Sequence, residues 1–367
     1  MFVLLVKGLT LEGAVDGLKF FFTPDWSKLV QPKVWYAAVT QSFFSLGVGF
    51  GALTTYSSYN KFRHNSYKDA LIISVADTCT SILAGTIIFA ILGHLSHELQ
   101  KPIEEVVKSG ASLAFVSYPE VISKFEAVPQ LFAVLFFLML ITLGMGSATG
   151  LISNIITAVC DAFPSFPRAA VTAVISTLGF LTGLLYVTPG GQALLTLVDY
   201  YGGSLLVLTL ALAEIIAIAW VYKVNNVLAD LSMMLNTRLG LYWKLCWSLI
   251  IPGCLTFILF FFLYDYQPVK YNQAEIPVSY QVVGWTIAIT GLAFLPLVLS
   301  LELWRNKTDL RRAFQPSSQW GPQKTEDWRD WNNSRHHSRH HAGRDKEDNI
   351  VELVVYEPLQ NNQSGDR

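Results

Sequence analysis

Charge is what this sequence has least of. Only 14% of its 367 residues are Asp, Glu, Lys or Arg, against about 25% in soluble domains. The net charge of -1 leaves no basic face of the kind nucleic acids require, so nucleic acid is excluded as a partner. Cysteine is scarce as well. Cys79, Cys160, Cys246 and Cys254 fall in or beside apolar runs and none lies in a predicted external loop, so no disulfide framework is expected. The constellations of an enzyme are also missing: there is no metal-ligand helix pair, no nucleophile motif and no phosphate loop.

What the sequence has instead is long apolar runs. A membrane-spanning helix needs about 20 mostly apolar residues. Seven stretches qualify, at 33–60, 70–93, 129–160, 167–188, 196–222, 240–265 and 278–303. The fold class predicted is therefore an all-α membrane protein of seven transmembrane helices, with the lipid bilayer as its surroundings. Trp35, Tyr36, Trp243, Tyr264, Trp285 and Trp304 stand near the ends of these runs, where interfacial aromatics belong. Three parts are expected: an external segment over 1–32, a seven-span region over 33–303, and a polar tail over 304–367 without structure.

Positive residues orient the spans. Lys61, Arg63 and Lys68 follow the first run, Arg168 the third, Lys223, Arg238 and Lys244 the fifth, and Arg305, Lys307, Arg311 and Arg312 the last. This alternation places the carboxy terminus in the cytoplasm and residues 1–32 outside. No basic leader precedes the apolar Met1–Val6 stretch, so a signal peptide is not expected. The topology predicts that upstream spans are missing; an N-out protein inserted without a signal is the alternative. The repeat from Ser334 to His341 is expected to be solvated tail rather than a metal site. The sequons at Asn306, Asn332 and Asn362 fall on the cytoplasmic side, so no glycosylation is expected.

Several residues are out of place in lipid. The first run is about 42 Å long as a continuous helix, and the hydrocarbon core is about 30 Å. Its middle, Gln41 to Gly51, holds Gly47, Gly49 and Gly51 at alternate positions, beside Gln41, Ser42 and Ser45. Glycine weakens a helix, and unwound backbone survives in a membrane only where it is buried or lines a cavity. A broken helix is predicted, with close packing through small residues as the alternative. The second run contains Asp77, which costs at least about 2.5 kcal/mol there unless paired or solvated. Ser74 and Ser81 share its helical face, and oxygen donors of this kind suit a hard cation. The third run contains Thr142–Gly150, again rich in small and hydroxyl residues. Three polar spots at one depth point to one shared site. In the fifth run Asp199 and Glu214 are candidates for an external gate or for structural hydrogen bonds.

These stretches resemble the neurotransmitter:sodium symporter family, whose fold is that of the bacterial leucine transporter. Pro24–Leu29 with Pro32–Trp35 resembles the approach to the family's sixth span, Gln41–Tyr59 that span, Phe115–Glu120 its fourth external loop, and Phe136–Leu140 the entry to its eighth span. The resemblance implies the carboxy-terminal part of a twelve-helix, inverted-repeat transporter with its amino-terminal spans absent. It implies that Phe44, Gly47, Phe50, Ser147 and Leu151 face substrate. It implies a first sodium ion at Ser45 and Asp77, a second at Leu143, Gly146 and Ser147, and chloride at Gln41, Ser45 and Ser81. Two departures stand out. Gly146 lacks a side-chain oxygen where relatives carry one, which weakens the second sodium site. Asp77 stands where asparagine is usual, which favours a cation and disfavours chloride. Asp77-Thr78 and Gly146-Ser147 resemble the insect nutrient amino acid transporters, a branch with relaxed choice among monovalent cations.

The function expected is a sodium-coupled symporter for neutral amino acids in a plasma membrane, incomplete and inactive as this chain alone. The alternatives are a short non-transporting product that associates with full-length transporters, a carrier of amines or osmolytes, and a channel. A channel would require a polar stripe through several spans rather than polar residues at one depth.

Overall fold

The computed structural model describes residues 2–103, 115, 118–123, 128–266, 268–271, 274–307, 310–316, 320–322 and 324–333. The Ser334–His341 repeat and Asn362 lie outside the described residues, as do Val116 and Ser117 of the predicted external loop. The described chain is helical apart from one short antiparallel pair, Lys270–Tyr271 with Ala274–Glu275.

Among the described residues six helices are long and apolar enough to cross a membrane: α5 (Ser66–Leu99), α7 (Pro129–Ala162), α8 (Arg168–Tyr186), α9 (Gly191–Val221), α11 (Leu241–Tyr264) and α12 (Val278–Arg305), with the short α6 (Tyr118–Ser123) between the first two. Each of the six overlaps an expected run. Local chemistry sets their ends. Asn65 caps α5 by accepting the Lys68 N–H at 3.0 Å. Proline begins α7, where its missing N–H costs nothing. The run expected at 33–60 is instead two short helices, α3 (Pro32–Ser45) and α4 (Ala52–Ser58), so the count of seven is not reached by unbroken spans.

The segment expected outside over 1–32 is a helical hairpin, α1 (Phe2–Leu9) and α2 (Ala14–Phe22), followed by a 3₁₀ turn at Trp26–Val30. The hairpin packs on α5 by backbone approach. A methyl group at Gly17 would stand 1.8 Å from the Phe89 carbonyl oxygen, and one at Gly93 would stand 2.6 Å from the Gly17 nitrogen. Leu4 joins Ile87, Ile91, Leu92 and Leu95 of α5 and Phe136 of α7 in one core. A second core lies between α9, α11 and α12 and holds Leu197, Tyr201, Leu205, Phe262 and Ala288. Gly284 makes room there for the Tyr201 ring, whose hydroxyl lies 2.7 Å from that of Tyr266.

The described part of the tail, up to residue 333, holds helical stretches. Helix α12 runs to Arg305, α13 covers Leu310–Ala313, and residues 325–333 form a further helix, α14. Helix α14 docks on the loop before α5 and on α10 (Val224–Leu235). Arg63 Nη2 donates to Asp330 Oδ2 at 2.7 Å, and Trp331 Nε1 donates to Asp230 Oδ1 at 2.8 Å. Trp320 Nε1 donates to the Tyr222 hydroxyl at 2.9 Å, and that hydroxyl donates in turn to Asp230. The tail is polar overall, but Trp320, Trp328 and Trp331 give this stretch the apolar area that a structureless segment lacks. Burial pushes the Asp230 carboxyl up to about 6, opposed by the hydrogen bond from Trp331.

Candidate transport site at the broken helix

The break is built from glycine. Helix α3 ends at Ser45, with the Leu46 N–H reaching the Ser42 carbonyl at 3.2 Å and the Val48 N–H reaching that of Phe43. Gly47, Gly49 and Gly51 then take φ of 63°, 80° and 79°, the left-handed region that side chains disfavour. The three positions differ in what surrounds them. Nothing lies within 4 Å of a methyl group built on Gly47, so only its backbone demands glycine. At Gly51 a methyl group would meet Asn154 Nδ2 at 2.2 Å.

The break brings two expected groups together. Ser45 Oγ donates to Asp77 Oδ1 at 2.6 Å, and the Phe44 and Phe50 rings tilt across the unwound segment with centroids 5.7 Å apart. The hydroxyls around Asp77 are turned to their own helix: Ser74 donates to the Ala70 carbonyl and Thr78 to that of Ser74. Gln41 and Ser81 are exposed. The expected residues of α7 form a bare face. Leu143 is 57% exposed, Ser147 and Leu151 are exposed, and a methyl group on Gly146 would meet nothing within 4 Å.

Sequence reasoning names Leu151 last on α7 and misses Asn154, two turns beyond Ser147 on the same face of the helix. Asn154 Nδ2 donates to the Phe50 carbonyl at 3.3 Å, and Thr55 Oγ1 donates to Asn154 Oδ1 at 2.8 Å. One turn earlier, Gly150 packs against the Tyr56 hydroxyl. An amide among the mostly apolar residues after Leu151 is the available signal. At the far end of α4, Arg168 Nη2 donates to the Tyr59 hydroxyl at 2.8 Å.

The chain's residues 1–306 match the model of the sodium:neurotransmitter symporter family. The chain belongs to that family. It is 46% identical over 340 residues to the sodium-dependent nutrient amino acid transporter 1 of Drosophila yakuba, covering 90% of this chain and 53% of that protein. The Drosophila melanogaster protein of the same name is 46% identical over 337 residues, with 90% and 53% covered. The chain thus spans about half the length of the curated relatives it matches. Membership and the six apolar helices together make it a multi-pass membrane protein, in a family of symporters rather than enzymes.

The residues fit sodium unequally. Ser45 and Asp77 set a hydroxyl and a carboxylate oxygen within hydrogen-bond reach, the donor chemistry of a hard cation. Leu143, Gly146 and Ser147 sit in an unbroken helix, and of the three only Ser147 carries a side-chain oxygen.

Proposed function

We propose that the chain is part of a sodium-coupled symporter for neutral amino acids, inactive by itself. The observation that carries this reading is the Ser45–Asp77 hydrogen bond beside the glycine break. Unwound backbone at mid-depth, flanked by an ionisable oxygen, is how secondary transporters build substrate and ion sites. In this reading a sodium ion at Ser45 and Asp77 supplies positive charge next to the substrate carboxylate. The Phe44 and Phe50 rings enclose the apolar side chain, Gly47 leaves it room, and Ser147 and Leu151 close the pocket from α7. Leu143, Gly146 and Ser147 would hold a second ion weakly. The fixed charge of Asp77 takes the place of chloride, so Gln41, Ser45 and Ser81 hold that anion weakly, and it admits other monovalent cations.

Incompleteness is inferred from exposure. Asp77 is half-exposed and Ser45, Gly146 and Ser147 are exposed, although polar groups at membrane depth require cover from lipid. Further helices covering this face would complete the pocket. The protein then sits in the plasma membrane with its carboxy terminus in the cytoplasm. The same bare face favours a second reading, in which the short chain binds full-length transporters without transporting.

Radiolabelled neutral amino acid uptake tests this, with the chain expressed alone and fused to the upstream spans of the Drosophila melanogaster relative. Sodium-dependent uptake by the fusion alone is expected. Uptake by the chain alone would overturn the inferred incompleteness, and no uptake by either would overturn the transport reading.

A further inference from the structure

The break needs more than glycine, because the two half-helices must be held at one relative position. Gly51 is the N-cap of α4, and its carbonyl accepts the first helical bond, from the Thr55 N–H at 2.9 Å. The Phe50 carbonyl precedes that ladder and receives Asn154 Nδ2 instead. The same side chain accepts from Thr55, the only buried polar residue among those described, at 5% exposure. It also occupies the space that any side chain at position 51 would need. One residue of α7 therefore contacts the last unwound residue, the helix start and the first turn of α4. The Gly150–Tyr56 contact one turn away fixes the rotation of α4 against α7.

We propose that Asn154 is a positioning residue for the transport site, setting how far the Phe50 ring stands from Phe44 and so which side-chain sizes are accepted. It lies two turns beyond Ser147 on the same face of α7, and its hydrogen bonds go to Phe50 and Thr55 rather than to the Ser45–Asp77 pair. It acts through the Phe50 carbonyl, so its loss loosens substrate fit and leaves the ion group in place. The claim about substrate size rests on the transport reading above; the claim about backbone position does not.

The experiment has two readings. The first is hydrogen–deuterium exchange of the purified chain in lipid nanodiscs. In Asn154→Ala the amides of residues 46–55 are expected to exchange at least fivefold faster, with α9 and α12 unchanged. Unchanged exchange at 46–55 overturns the proposal, whether or not the protein transports. The second is uptake by the fusion of a series of neutral amino acids from alanine to phenylalanine, corrected for surface abundance. Asn154→Ala is expected to change KM by fivefold or more at one end of the series and less than twofold at the other, with the half-saturating sodium concentration unaltered. Thr55→Val, which leaves the Phe50 carbonyl bonded, is expected to shift KM less than twofold. A uniform fall in maximal rate with KM unchanged overturns the role in size selection. Should Asn154→Ala fail to reach the surface, Asn154→Asp keeps the shape and the Thr55 bond, loses the donor to Phe50, and is expected to give the same exchange and KM pattern. If the unsubstituted fusion takes up none of these substrates, the transport reading fails and the exchange result alone decides the positioning.

Discussion

The Ser45 hydroxyl donates to Asp77 across 32 residues of sequence, joining the end of α3 to the middle of α5. The pair links the break to the one carboxylate in the membrane-spanning part of α5, and most of the chemistry expected of this chain depends on it.

Asp77→Asn keeps an acceptor for Ser45 and removes the charge. In the fusion this substitution is expected to make uptake chloride-dependent and to narrow cation choice toward sodium. Half-saturating sodium should rise roughly tenfold, equivalent to about 1.4 kcal/mol of binding. Uptake compared in sodium, potassium and chloride-free media checks this, and identical behaviour in all three media would remove Asp77 from the ion site.

Gly146→Ser restores a side-chain oxygen on a face with open space around it. Half-saturating sodium is expected to fall several-fold, with folding undisturbed. A sodium titration of uptake is the measurement. Unchanged affinity would mean that the α7 group does not hold an ion.

Gly47→Ala and Gly51→Ala separate backbone strain from space. The first imposes left-handed backbone on alanine with nothing to collide with, at about 1–2 kcal/mol. The second adds a collision with Asn154, so its thermal unfolding midpoint in detergent is expected to fall further. Equal midpoints would show that Asn154 yields its place at little cost.

Docking of α14 is expected to depend on pH through Asp230. Burial raises this carboxyl from 3.8 to about 6, so the docked state holds the proton more tightly than the free one. Its contribution to docking is fully present below about 3.8 and is lost as pH rises through about 6. Tryptic cleavage after Lys324 and Arg329, measured relative to an unstructured reference peptide at the same pH, should therefore be slower at pH 5.5 than at pH 7.5. Asp230→Asn, which keeps an acceptor for the Trp331 N–H, should flatten that difference.

Trp331→Ala and Arg63→Ala should differ in their effect on the same cleavage. Trp331 is 9% exposed and hydrogen-bonded, and its loss is expected to free α14. Arg63 is largely exposed, and pairs of that kind are worth about 1 kcal/mol or less. Faster cleavage in the arginine variant than in the tryptophan variant would reverse this ranking.

Features imposed by lipid were legible in the sequence. Long apolar runs announced six helices, alternate glycines announced the break, and an isolated aspartate announced a polar group that needs a partner. What could not be read is which helix faces which. The part of α5 on which α2 lies, around Gly85–Gly93, is apolar on nearly every side, so no periodic stripe marks the side that α2 covers. Asn154 is not legible because a single amide has no periodicity, and its partners Phe50 and Thr55 lie about a hundred residues away. The helix at 325–333 could not be read from composition, because four tryptophans among the many polar residues of 304–367 hardly alter an average.

The close fit of α2 against α5 bears on the order in which the protein can assemble. Gly17 leaves the ribosome about 76 residues before Gly93, its contact on α5. At roughly 5–20 residues per second, the hairpin waits about 4–15 s for the surface it packs against. During that interval its apolar side chains lack the α5 surface that covers them in the finished fold. A substitution at Gly17 or Gly93 would prolong that exposure, and its first effect would be on the yield of inserted protein rather than on any property of the finished molecule.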